Sequence, residues 1–188
     1  MSIRVVFNTF KAEAELIGRL LAGYSELELS MAQCVNVAGN DPDTTFKALF
    51  RCRGELARIQ IADALGRQKF GALGLGTQFE MTIGAMQHCR QIRNQFAHCT
   101  WWGDLNGNLG FTNLEEIAAS NAPIEDLSGL TRFIIDVPLL LEQEAYFDNT
   151  EGWWSWLIHE THKKVHGRPS PYTSAPKHVK QPPLHSGT

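Results

Sequence analysis

The sequence is poor in the features that mark a membrane protein, an exported protein or a familiar catalytic loop. No stretch of its 188 residues approaches the roughly 18 uninterrupted apolar residues of a membrane-spanning helix, so no membrane association is expected. The start, Met1 to Glu15, holds one short apolar cluster, against roughly 7 to 15 such residues in a signal-peptide core, and a cytoplasmic location is expected. The four cysteines, Cys34, Cys52, Cys89 and Cys99, form no C-x-x-C pair and read as reduced, mostly buried thiols. The pairs His88-Cys89 and His98-Cys99 are adjacent residues, whereas structural zinc ligands are separated by roughly two to four positions, so no metal is expected. No Gly-rich phosphate loop, H-E-x-x-H or nucleophile elbow occurs; cofactors are therefore not expected, and the common enzyme classes lack support. An excess of positive charge is missing too. With 17 Lys and Arg against 20 Asp and Glu, the net charge is −3, which excludes nucleic-acid coating by an overall field and leaves only local phosphate contacts.

What is present is an ordinary folded composition, 43% hydrophobic and 20% charged, in a length that one core can serve. The exception is the end. Residues 167–188 hold five of the eight prolines and few large apolar side chains, so the chain is expected to divide into a helical domain over 1–166 and a flexible Pro-rich tail over 167–188. Basic residues cluster at Arg51, Arg53, Arg58, Arg67 and Lys69, and again at Lys163-Lys164; solvated helix faces account for them.

The apolar spacing predicts a mainly α protein, an antiparallel bundle of four or five helices with a small β-hairpin after the third. Leu16, Leu20, Leu27, Met31 and Cys34 lie on one stripe of a helix from Ala12 to about Ala38, ended by Gly39-Asn40-Asp41-Pro42. A second, capped by Asp43 or Thr44, runs to Gly66. A third begins near Thr77, where Glu80 three residues on completes a capping-box pattern, and reaches about His98. Asn106-Gly107-Asn108 between Cys99-Thr-Trp-Trp and Leu109-Gly-Phe-Thr signals the hairpin. Helices from Leu130 to Phe147, kinked at Pro138, and from Gly152 to Val165 complete the pattern. The five tryptophans read as packing residues before base-stacking ones.

On the third helix, Met81, Ala85, Cys89, Ile92, Phe96 and Cys99 form the expected core stripe. Arg90, Arg93, Asn94 and His98 fall on the other side, with Asn94 one turn from His98 and able to orient its imidazole. Arg93-Asn94-Gln95-Phe96-Ala97-His98 resembles the R-N-x-x-x-H signature of the HEPN superfamily, which also closes a long helix after two antiparallel ones. That resemblance implies a two-fold homodimer joining both motifs in one cleft, and RNase activity without a metal. Carried over, it makes Arg93, Asn94 and His98 the catalytic set; Arg90 is added as a substrate-binding residue.

The residue types suit that chemistry. A histidine with a pKa of roughly 6.5 can accept and donate a proton near neutrality, and a planar arginine fork suits a phosphate gaining charge. A mechanism through the ribose 2′-hydroxyl selects RNA over DNA. The resemblance implies a toxin or phage-defence effector with a cognate antitoxin as a further partner. It also has inactive members, which keeps open a non-catalytic module that binds RNA, a nucleotide or a protein, or a purely structural helical dimer. Glu26 and Glu28 are expected either to pair with Arg93 or line its cleft, or to serve in structural ion pairs.

Overall fold

The computed structural model describes residues 5–39, 41–103, 107–119 and 131–187. Among them lie helices α1 (Val5–Thr9), α2 (Lys11–Val37), α3 (Pro42–Phe50), α4 (Glu55–Ala72), α5 (Gly76–Ala97), α6 (Leu114–Ala119) and α7 (Val137–His166). Strands β1 (Cys99–Gly103), β2 (Leu109–Asn113) and β3 (Phe133–Ile135) form one antiparallel sheet in the order β1-β2-β3. The fold is thus mainly α with a small sheet, and no described helix is long and apolar enough to cross a membrane. Two compact units divide the chain: Met1–Ala22, Gln91–Ala145 and Pro182–Thr188 form the first, Gly23–Arg90 and Tyr146–Gln181 the second.

The first unit is built on its sheet. Trp101 pairs with Phe111 and Trp102 with Gly110 across β1 and β2, and Gly107 at φ +81° supplies the left-handed turn residue. Asp104 to Asn106 of the expected hairpin lie outside the described residues. Gly110 is required where it stands, because a Cβ there would meet the Trp102 indole. Phe96, Trp101, Phe111 and Phe133 form a chain of ring contacts with centroids 5.4–5.7 Å apart, and Phe7 of α1 joins at Trp101.

The second unit packs Leu27, Met31, Val35, Ile59, Phe70, Phe79, Met86 and Trp154 into its core. Phe70 and Phe79 stack at 4.4 Å and Trp154 meets Phe79 edge-on. The expected second helix is two. Asp41 caps α3 through its carboxylate on the Thr44 amide, with Pro42 in the first turn, where its missing N–H costs nothing. Residues 51–54 then break the chain before Gly54 starts α4 in extended conformation. Gly66, expected as a stop, sits inside α4 with its Cα against the Phe79 ring. The α5 helix begins at Gly76, so Thr77 lies within its first turn, and Glu80 pairs with Arg67 at 3.2 Å.

Two further expectations change along α7. Its start at Leu130 was placed outside the described residues; residues 133–135 are strand, and the helix begins at Val137, capped by Asp136 on the Leu139 amide. Pro138 therefore opens the helix instead of kinking it. The break expected near Gly152 does not occur. Thr150 is buried and turns its hydroxyl back to the Tyr146 carbonyl at 2.8 Å, and Asn149 donates sideways to the Lys177 carbonyl, so neither competes with the helical ladder.

The segment after His166 carries no helix, as its composition implies. In the second unit Tyr172 donates to Ser155, His178 lies over Trp153 and Gln181 donates to His88 Nδ1 at 2.7 Å. In the first, residues 183–187 are bound to Gln95, Ile134 and Gln143. Residues up to Gln181 belong to the second unit and those from Pro182 to the first.

Gly66 provides a signed test. At an open helical site Gly→Ala stabilises by up to about 1 kcal/mol, but here the new methyl would strike Phe79. Gly66→Ala should lower stability by about 1 to 3 kcal/mol in chemical unfolding. A stability equal to or above wild type would show that α4 and Phe79 are not so closely packed.

Candidate functional site

The surface of α5 left to solvent is narrow. Phe79, Ile83, Met86, Cys89, Ile92 and Phe96 are buried, and so are His88 and Gln95; Glu80, Gly84, Gln87 and Gln91 are exposed. The core face is therefore wider than the predicted stripe and rotated from it, with Met81 and Ala85 only half-buried. Arg90, Arg93 and Asn94 flank the exposed strip as half-buried side chains.

In the first unit, Phe96 fixes the end of α5 by inserting between Trp101 and Phe111 at ring distances of 5.7 Å. The helix closes at Ala97, so His98 stands one residue beyond it. Its carbonyl accepts from the Leu114 amide at 3.0 Å, and Cys99 opens β1 opposite Asn113. Asn113 in turn caps α6, its Oδ1 accepting the Glu115 amide at 2.9 Å. These links bring Glu115 Oε1 to 3.6 Å from His98 Nε2, with the two side chains 63% and 48% exposed. Arg93 Nη1 donates to Asn94 Oδ1 at 3.1 Å.

The unit thus brings together an arginine–asparagine pair and a histidine–glutamate pair on the last turn of α5 and the residues after it. Asn94 holds Arg93, not the imidazole as its spacing suggested; the partner of His98 is Glu115. Sequence reasoning missed that carboxylate because it is 17 positions away across the hairpin. Its signal was the Asn113-Leu114-Glu115-Glu116 run, an N-cap residue followed by acids at the close of a strand. The Glu115 carboxylate faces the Nε2 edge of the His98 ring. One residue before β3, Arg132 lies over the Trp102 ring at 5.8 Å, a cation–π contact.

Arg90 belongs to the second unit. Its Nε is buried without a hydrogen-bond partner among the described residues, and its charge acts on the Tyr24 phenol, whose pKa burial raises. Glu28 pairs with Arg58 there, Nη1 reaching both carboxylate oxygens at 2.8 Å with both side chains largely buried. Of the first basic cluster, Arg67 bridges Asp63 and Glu80, and Lys69 donates to the Gly39 carbonyl; these are structural bonds. Burial pushes the Cys89 and Cys99 thiols up to about 12, which leaves them protonated and unreactive at neutral pH. A cleft of about 50 Å³ lined by Thr82, Tyr146, Asn149, Trp153, His178 and Val179 has room for water and little more. No three metal-ligating side chains cluster among the described residues. No family model, curated protein or solved structure matches the chain.

Glu151 in the second unit gives a pH test. Burial raises its pKa above the ordinary 4.5, against the Ser30 hydroxyl that donates to it at 2.8 Å, and Glu26 adds repulsion. A raised folded value means that its stabilising contribution is complete below pH 4.5 and is lost as pH rises through the folded pKa. Glu151→Gln should therefore melt higher than wild type at pH 7 and at the same temperature near pH 4. Equal melting at both pH values would show that the carboxylate is not held in an apolar setting.

Proposed function

We propose that this chain is a HEPN-type endoribonuclease that works without a metal, acting as a homodimer, with Arg93 and His98 at the reacting phosphate. The observation that carries the reading is the placement of Arg93, Asn94 and His98 at a helix end anchored by the buried Phe96, with a carboxylate 3.6 Å from the imidazole. The mainly helical fold with the motif closing a long helix supports it. In this reading one His98 takes the proton of a ribose 2′-hydroxyl as that oxygen attacks phosphorus. The His98 of the second copy gives a proton to the departing 5′-oxygen. Arg93, steadied by Asn94, meets the charge that grows on the phosphate, and Glu115 holds each imidazolium. Atoms balance: the products are a 2′,3′-cyclic phosphate and a 5′-hydroxyl. A toxin or phage-defence role with a protein antitoxin is the biological counterpart of this activity.

His98→Ala and Arg93→Ala should each slow cleavage of total RNA by about a hundredfold or more while leaving the melting temperature within a few degrees, since neither side chain fills the core. Asn94→Ala and Glu115→Gln should cost less. Chelator should not inhibit, and sedimentation should find a dimer at micromolar concentration. Undiminished cleavage by His98→Ala, or strict dependence on a divalent ion, would end this mechanism. A wild type that cuts nothing but binds RNA through Arg93 would make the chain a binding module.

A further inference from the structure

The last residues of the chain lie along the first unit in an extended course that is read through the main chain. The Ile134 amide donates to the Gly187 carbonyl at 2.9 Å and the Ser186 amide donates to the Ile134 carbonyl at 2.8 Å, an antiparallel bridge on the free edge of β3. Two buried glutamines complete the grip. Gln95 Nε2 donates to the Leu184 carbonyl at 2.7 Å, and Gln143 Nε2 donates to the Pro183 and Leu184 carbonyls at 2.9 and 3.1 Å. Gln143 is fully buried, and its Oε1 has no partner among the described residues. The His185 ring lies 4.4 Å from that of Phe133.

We infer that β3, Gln95 and Gln143 form a peptide-binding groove whose ligand is an extended segment of the sequence Pro-Leu-His-Ser-Gly, held here in cis. A buried amide on a core-facing position must find a polar partner, and both glutamines donate to the Leu184 carbonyl, Gln143 to that of Pro183 as well. That is recognition by strand addition, in which backbone groups give affinity and one side chain, here His185 on Phe133, gives selectivity. The occupant leaves the groove by giving up five hydrogen bonds and one ring contact, and residues 177–181 before it are exposed. Gln95 lies between Asn94 and His98, so a seated segment stiffens the end of α5; any effect on cleavage rests on the ribonuclease reading, whereas the groove does not.

The test uses full-length protein and a fluorescent peptide of residues 180–188. Ser186→Pro removes the amide that donates to Ile134 at an exposed position, weakening the chain's own segment as a competitor. The Ile134 amide should exchange with solvent about fivefold faster in this variant, the ratio that one net hydrogen bond supplies. The variant should also bind the wild-type peptide about fivefold tighter than the wild-type chain does, and a peptide carrying Ser186→Pro should bind more weakly to both. His185→Ala, which leaves the backbone untouched, should act in the same direction. Absence of peptide binding to either variant at millimolar concentration, or equal binding to wild type and variants, would overturn the inference, whatever the result with RNA.

Discussion

Everything of chemical interest in the first unit hangs on the burial of Phe96. A helix end leaves its last carbonyls without intrahelical partners, and a terminal turn held only by those frays. Burying a phenylalanine stabilises by about 1.5 to 3 kcal/mol, and here the ring lies against both Trp101 and Phe111. With Phe96 fixed, Gln95 is forced inward, Arg93 and Asn94 flank the solvent strip, and His98 is carried onto the first residue beyond the helix. The sheet completes the clamp: pairing of Cys99 with Asn113 sets the register, and Asn113 caps the helix that brings Glu115 to the imidazole.

The charge pair at His98 is a weak one. Two unit charges about 4 Å apart interact by roughly 1 kcal/mol in water, and both His98 and Glu115 are about half exposed or more. Their attraction is therefore modest and falls with salt. It leaves both groups open to solvent, and the carboxylate weakly repels a phosphate. Arg93 donates to Asn94 at this helix end, and Arg19 is held by Glu15 and Glu144. A net charge of −3 supplies no long-range attraction to compensate.

Periodicity was enough to read α2, α5 and the β1–β2 pair, because each matches one dominant pattern. It failed where two patterns agree. The apolar spacing of Phe46, Leu49, Leu56 and Ile59 continues smoothly across residues 51–54, so the break between α3 and α4 leaves no mark in the period. The run Asp148-Asn149-Thr150-Glu151-Gly152 has turn composition, but tertiary partners for Asn149 and Thr150 hold it helical. Likewise β3 spans three residues, shorter than any periodic signal. The candidate residues Arg93, Asn94 and His98 were legible as a motif, but their pairings were not. Proximity along a helix suggested Asn94 for His98, whereas the backbone path through the hairpin chose Glu115.

The C-terminal segment is attached through groups that composition does not count. Few of its residues can bury a large side chain, which is the usual reason for a segment to stay unfolded. Its attachment instead uses groups that every residue possesses, amides and carbonyls, and these are invisible in composition. The signal lay in the body of the chain. Gln95 is one position from Phe96, and Gln143 follows Leu139 and Leu140 at helical spacing, so both amides face inward. An unpaired buried amide costs about 1 to 3 kcal/mol, and two of them on one unit would be a heavy loss for a fold of marginal stability. Such residues require a polar partner that is itself removed from water, and an extended main chain satisfies this without adding side-chain volume. The proline content that suggested a loose tail suits that partner, since proline keeps its carbonyl and holds the backbone near the extended form.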